Sequence, residues 1–207
     1  MSRELGRNKV QPVRDKKDLE DLFVYLRREI NAVDANYYPT LKRIKTRNYY
    51  LLLLGMNIGL RITDLLKITA GQINKGYIQL REEKTGKLQQ IYANQDILDE
   101  IIRNYIKKFD LDDDTYLFYS RKGFNKPMGR QNAYDIIQTI SNALRWKFPV
   151  GTHTMRKTFG YHYYQETKDV VTLQKMFNHR DPRVTLIYIG IIQEEVDKAR
   201  QSFKLKF

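Results

Sequence analysis

Residues 41–58, LKRIKTRNYYLLLLGMNI, constrain the fold more than any other stretch of the chain. The segment has helical spacing, but toward its end it is apolar nearly all round. A helix of that kind must be surrounded by other elements, so the pattern predicts a central core helix and not a surface one. Gly59 supplies the expected stop. The following RITDLLKI starts a further helix, with Thr63 as its expected N-cap. The apolar run YYLLLLGM within the central helix is far too short to cross a bilayer.

The rest of the chain supplies partners for that helix. Leu19, Leu22, Phe23, Leu26 and Ile30 recur at helical spacing from Asp18 onward. Pro39 disfavours helix at Tyr38, so residues 34–39 read as a loop. Residues 76–94, GYIQLREEKTGKLQQIYAN, change period: apolar residues flank KTGK, where Gly86 supplies a turn, and a β-hairpin with a short third strand is expected. Helices follow over 96–109, 130–146, 152–166 and 171–177, with TYLFYS as a short extended segment and 121–130 as a basic loop. Asp181-Pro182 is a strong start signal, an N-cap carboxylate with Pro at the first helical position. Residues 193–207 read as a charged helix with a basic apolar tail. The expected fold class is mainly α (α+β), a helical domain with one small antiparallel β-sheet containing a hairpin. Its domains are a mobile basic arm over 1–17 and a single folded unit over 18–207, since 207 residues suffice for one real core.

Charge narrows the partner. The net charge is +13, and the basic residues are not spread evenly. They gather in the first seventeen positions, in LKRIKTR, in RKGFNKPMGR and around Arg156, whereas acidic residues gather in DLDDD. That asymmetry points to a polyanion. The chain has no cysteine, which excludes a disulfide framework and a cysteine-based metal site. The first residues have no apolar stretch of the signal-peptide kind. A soluble, cytoplasmic and nucleoid-associated protein with no membrane contact is expected.

Few residues could carry chemistry. There are three histidines among 207 residues. His153 and Arg156 stand three apart, on one face of a helix and close enough to share a ligand. His179 and Tyr188 stand nine apart, opposite faces of one continuous helix, so they could meet only through a break such as Asp181-Pro182. Ile187 and Ile189 flank Tyr188 and would anchor its helix. Arg61 lies between Leu60 and Ile62, which should be buried; it either pairs with Asp64 at the helix start or is pinned by the core and aimed at a phosphate. Lys84, at the hairpin tip, is either a solvated turn residue or a cation carried into a groove.

The order of these features decides between the alternatives. GLRITDLL, a hairpin lysine, HTMR, and NH followed nine residues later by Tyr together resemble the tyrosine recombinase (lambda-integrase) family, in family order from about Asp18 to the end. The resemblance implies a site-specific DNA recombinase that cleaves and rejoins duplex DNA through a 3′-phosphotyrosyl intermediate, in integration, excision or inversion. It implies Tyr188 as nucleophile, Arg61 and Arg156 as phosphate clamp, His153 as base, His179 completing the pocket, Lys84 as general acid and Asp64 in support. Lys87 shares the hairpin tip with Lys84 and competes for its role. Lys87, Arg121, Lys122, Lys126, Arg130 and Lys157 are further candidates for DNA contact, and His162 is left structural. No cofactor and no metal is expected, because the covalent linkage stores the cleaved bond.

Three departures from the family pattern stand out. Lys157 and Asn178 replace a histidine and a glycine found in many members. Only about sixty residues precede Arg61, and most resemble the first helices of the catalytic domain, so no separate helical domain ahead of it is expected and the chain resembles a catalytic-domain-only recombinase, similar in size to fimbrial invertases. The implied partners are double-stranded DNA and further copies of the chain, a dimer on a site and a tetramer at synapsis, with the C-terminal segment docked on a neighbour. An accessory DNA-bending protein or the basic arm would replace the missing grip. The other readings are a type IB topoisomerase-like nicking-closing enzyme and a non-cutting DNA-binding accessory factor.

Overall fold

The computed structural model describes residues 10–74, 76–81 and 88–205. Helix α1 (Lys16–Asn31) starts where the Asp15 carboxylate accepts the Lys17 amide, and it buries Leu22 and Leu26. Pro39 opens α2 (Pro39–Ile58), whose residues from Tyr49 to Met56 are nearly all buried. This is the central helix that the apolar pattern demands, packed against α1 on one side and α6 (His153–Thr167) on another. Gly59 ends α2 with φ +63°. A side chain there would be doubly excluded, because an added Cβ would sit 2.3 Å from the Phe159 ring.

Helix α3 is only Ile62–Leu65, and Arg61 stands at its N-cap position in an extended conformation. Thr63, expected as the cap, is instead an exposed residue inside the helix. The start shifts because Ile62 is drawn into the core at 7 % exposure, which fixes the turn two residues earlier. A 3-10 turn, Ala70–Gln72, leads into a three-stranded antiparallel sheet in the order β1 (Ile73–Asn74), β2 (Tyr77–Arg81), β3 (Leu88–Tyr92). The register pairs Tyr77 with Tyr92 and Arg81 with Leu88. The hairpin tip, with Lys84, Gly86 and Lys87, lies outside the described residues.

Helix α4 (Gln95–Ile101) continues through a π turn, Ile102–Ile106, which buries Tyr105 completely. TYLFYS forms isolated bridges, Thr69 to Tyr116 and Tyr119 to Pro127, and not a strand. Its Leu117 and Phe118 are fully buried, so side-chain burial fixes it more than ladder pairing does. Helices α5 (Arg130–Ala143), α7 (Val170–Phe177), α8 (Pro182–Ile189) and α9 (Ile191–Ser202) complete the described chain.

Residues 10–15 correct the expectation of a mobile arm reaching to residue 17. They run as an extended strap over α6: the Gln11 amide donates to the Pro149 carbonyl at 2.8 Å, and the Val13 amide to Thr158 Oγ1 at 2.9 Å. His162 Nε2 lies 2.9 Å from the Val13 carbonyl, which gives this histidine a structural partner. Val13 is fully buried. A count of positive charges hides the apolar Pro12-Val13 pair that holds the strap down.

The core has two parts. A large cluster runs from Val13 to Met155 and includes the buried faces of α1 to α5. A small one comprises Tyr161, Leu173, Phe177, Ile189 and Ile191, with Tyr188 packed at its edge. Helix α6 contributes to both.

Candidate active site

The N-terminal end of α6 supplies two of the chemical groups. His153 is its first residue and Arg156 comes one turn later, so both side chains leave the same end of the helix. Arg156 is buried, at 5 % exposure. Its Nη1 donates to the Gly59 carbonyl at 2.6 Å and its Nη2 to the Phe177 carbonyl at 2.9 Å. The guanidinium lies 4.1 Å from the centre of the Phe177 ring. Burial, with the charge of Arg61 added to it, pulls its pKa down to about 10, so it stays a cation at neutral pH.

Helix α8 brings the tyrosine. The Asp181 carboxylate accepts the Arg183 amide at 2.6 Å, Pro182 takes the first helical position, and Gly190 ends the helix with φ +86°. The break between α7 and α8 is made by Asn178, left-handed at φ +51°. Asparagine tolerates that conformation better than most residues, so it serves here where many family members have glycine. Across this break, Tyr188 Oη comes to 3.0 Å from His153 Nδ1. Burial raises the Tyr188 pKa, and it outweighs the opposing pull of Arg156 and Arg61. The phenol is therefore neutral at neutral pH and sits within hydrogen-bonding distance of Nδ1.

Both site histidines are held toward the neutral form. His153 is lowered by burial of its ring first, then by the charges of Arg130, Lys157 and Arg156. His179 is lowered by burial and then by Arg156 and Arg61. His179 Nδ1 lies 2.9 Å from Oγ1 of the fully buried Thr185, and its ring meets the Tyr188 ring edge-on at 5.3 Å.

Arg61 is half-buried and lines a cleft of about 790 Å³ together with Asp64, Arg156, Asn178 and the β3 residues Gln90 to Tyr92. Its charge acts on Arg156, His179 and Tyr188, so it belongs to the same electrostatic unit. The structure thus brings together Arg61, Asp64, His153, Arg156, His179 and Tyr188. Lys84 and Lys87 lie outside the described residues. Arg121, Lys122 and Lys126 are exposed on the loop before α5, and Arg130 is exposed at the start of that helix. Lys157 faces inward, with Nζ 5.1 Å from the centre of the Tyr188 ring.

Sequence reasoning missed several supporting residues. Phe177 is a platform for Arg156 and packs edge-on to Tyr188 at 5.7 Å. Its signal was weak: it is simply the last apolar residue of α7. Thr185 and the Gly59 carbonyl are legible only in three dimensions. Ile189 anchors α8 at 0 % exposure, but Ile187, expected to share that task, is 52 % exposed. Helix α8 needs one apolar face only, because a single side packs on Gly160 and Phe177.

The arrangement offers an activatable hydroxyl, a proton acceptor and two guanidinium groups beside an open cleft, a set suited to attack on a phosphodiester. Comparison with known proteins agrees in kind. The model of the phage integrase family matches residues 27–195. A probable integrase/recombinase, YoeC of Bacillus subtilis strain 168, is 36 % identical over 197 residues, covering 95 % of this chain and 96 % of that protein. The tyrosine recombinase XerA of Pyrococcus furiosus is 28 % identical over 75 % of this chain, which spans 54 % of it. Among solved structures, XerH recombinase in a post-cleavage complex with its difH substrate superposes with a TM-score of 0.68 at 16 % identity, over 94 % of this chain and 54 % of that one. The catalytic domain of bacteriophage HP1 integrase superposes with a TM-score of 0.53 at 14 % identity, over 94 % and 95 %.

Proposed function

The chain belongs to the phage integrase family and has the fold of tyrosine recombinase catalytic domains, and from that premise we propose that it is a site-specific recombinase that cuts and rejoins duplex DNA through a 3′-phosphotyrosyl intermediate. The observation that carries this reading is the 3.0 Å approach of Tyr188 Oη to His153 Nδ1, beside an Arg156 fixed by two main-chain carbonyls.

In the proposed reaction Tyr188 Oη attacks the scissile phosphorus and its proton passes to His153 Nδ1. The bond from phosphorus to the 5′-oxygen breaks as the phosphotyrosyl bond forms. Lys84 delivers a proton to the departing 5′-oxygen. Arg61, Arg156 and His179 stabilise the charge that accumulates on the phosphoryl oxygens, and Asp64 supports the arginines. Rejoining reverses these steps, so the energy of the broken bond is retained. In the free protein a raised phenol and a lowered imidazole keep the proton on Tyr188. A bound phosphodiester would favour the imidazolium but disfavour a free phenolate, so proton transfer to His153 and bonding of Oη to phosphorus proceed together.

Duplex DNA is the proposed substrate. Lys87, Arg121, Lys122, Lys126 and Arg130 are its proposed backbone contacts, Lys87 being the alternative to Lys84 as acid. We place two copies on a site and four at synapsis, with an accessory DNA-bending protein or the basic N-terminal segment (1–17) adding grip. Phe203 and Leu205, exposed beyond α9, support docking of the C-terminal segment on a neighbouring copy.

The test uses nicked duplexes that carry the boundary sequences of the protein's own genomic neighbourhood. Wild type should leave a covalent protein–DNA adduct on a denaturing gel, and Tyr188→Phe should leave none. An adduct persisting in Tyr188→Phe would remove the assignment. Relaxation of supercoiled DNA that lacks any such site would favour the nicking-closing reading.

A further inference from the structure

Lys157 stands directly after Arg156 on α6, and its side chain turns toward residues 10–14. Its Nζ donates to the Val10 carbonyl at 2.8 Å and stands 5.1 Å from the centre of the Tyr188 ring. A lysine stem has many rotamers, so a cation rests over a ring only where something fixes it. Here the anchor is main chain. Val10 belongs to the strap, whose own position is set by the Gln11–Pro149, Val13–Thr158 and His162–Val13 hydrogen bonds and by burial of Val13. A continuous set of contacts therefore runs from residues 10–14 to the face of Tyr188.

On the recombinase reading above, we propose that Lys157, anchored by the strap, is a positioning residue for strand cleavage that acts through the Tyr188–His153 pair and not as a contact to the DNA backbone. The cation holds the ring by its π face and sets the direction in which Oη meets His153 Nδ1. It also repels a proton on His153, whose other charged neighbours are Arg130 from α5 and Arg156 from α6 itself, with Tyr188 facing it from α8. Tyr188 is faced in addition by Arg61, Arg156 and His179. Lys157 differs from the two arginines in touching the ring face.

Two substitutions separate charge from anchoring. Lys157→Gln keeps a donor for the Val10 carbonyl and removes the charge, whereas Lys157→Arg keeps the charge. With three histidines in the chain, the His153 imidazole can be assigned by substitution and titrated by NMR in the free protein. In Lys157→Gln its pKa should rise by roughly half a unit, because a nearby like charge has gone. The acid limb of the pH profile for adduct formation should move up by the same amount, since only neutral His153 accepts the proton. The rate at pH 6 should fall by about twofold, the loss of neutral imidazole that a half-unit shift brings close to the pKa. Lys157→Arg should restore both. DNA affinity and its salt dependence should match wild type.

An unchanged His153 titration in Lys157→Gln would overturn the proposal. So would weaker DNA binding with a salt slope smaller by about one, the mark of a lost phosphate contact. Should Lys157→Gln fail to fold, Lys157→Met carries the same titration expectation. A wild-type protein that forms no adduct would instead remove the recombinase reading, and the NMR titration would still decide whether Lys157 acts on His153.

Discussion

Both terminal nitrogens of Arg156 are committed to main-chain carbonyls, that of Gly59 at the end of α2 and that of Phe177 at the end of α7. The residue read from HTMR as a phosphate clamp is therefore also a structural pin. Arg156→Lys keeps the charge but cannot span both carbonyls, and it leaves a buried acceptor unsatisfied. It should lower stability by about 1–3 kcal/mol, seen as a lower urea midpoint at unchanged slope, and adduct formation should fall by about a hundredfold. Tyr188, Arg61, His153, Arg156 and His179 stood out in the sequence through the order of their motifs, which carries the family resemblance, and the structure brings them together. Phe177, Thr185 and the inward turn of Lys157 were not legible there, because each depends on what lies opposite in space.

Helix α8 spans eight residues, too few to hold together alone, so its seat decides where Tyr188 points. That seat is Gly160 on α6, where an added Cβ would meet Ile189 Cγ2 and the Phe177 ring at 2.8 Å. Gly160→Ala should cost about 1–3 kcal/mol through overpacking. By tilting α8 it should slow adduct formation more than it weakens DNA binding, which single-turnover cleavage and a gel-shift titration would separate. At this scale local chemistry read well wherever the chain punctuates itself: Asp181-Pro182 and Gly59 act at the positions expected, while Pro39, expected in the loop, opens α2 itself. It read poorly where tertiary burial overrides local preference, as at Thr63, in TYLFYS and in the Pro12-Val13 strap.

Taken whole, the chain carries +13 charges and gathers cations around two histidines that are held neutral. His153 and His179 both have folded pKa values below 6.5, so between those values and 6.5 the unfolded chain binds more protons. Stability should therefore rise with pH through that window, level off above about 6.5, and be lost again on acidification. Denaturant midpoints at pH 5, 6 and 7.5 would follow it, and His153→Gln with His179→Gln should flatten that part of the curve. The mainly helical class with one small sheet was legible from periodicity alone. The division of the core was not, because both clusters draw on apolar residues of the same kinds.

That division has a consequence for a reaction that must pause with DNA attached and then run backward. The helix of Arg61 rests on Ile62, Leu65 and Leu66 in the large cluster, whereas the helix of Tyr188 rests on a cluster of five buried residues. Regions with few buried contacts open at lower free energy than the core around them. The tyrosine's helix should therefore open at lower free energy than the bed of the first arginine. Grip and blade are mounted on separate parts of the frame, and the guanidinium of Arg156 is the rivet between them.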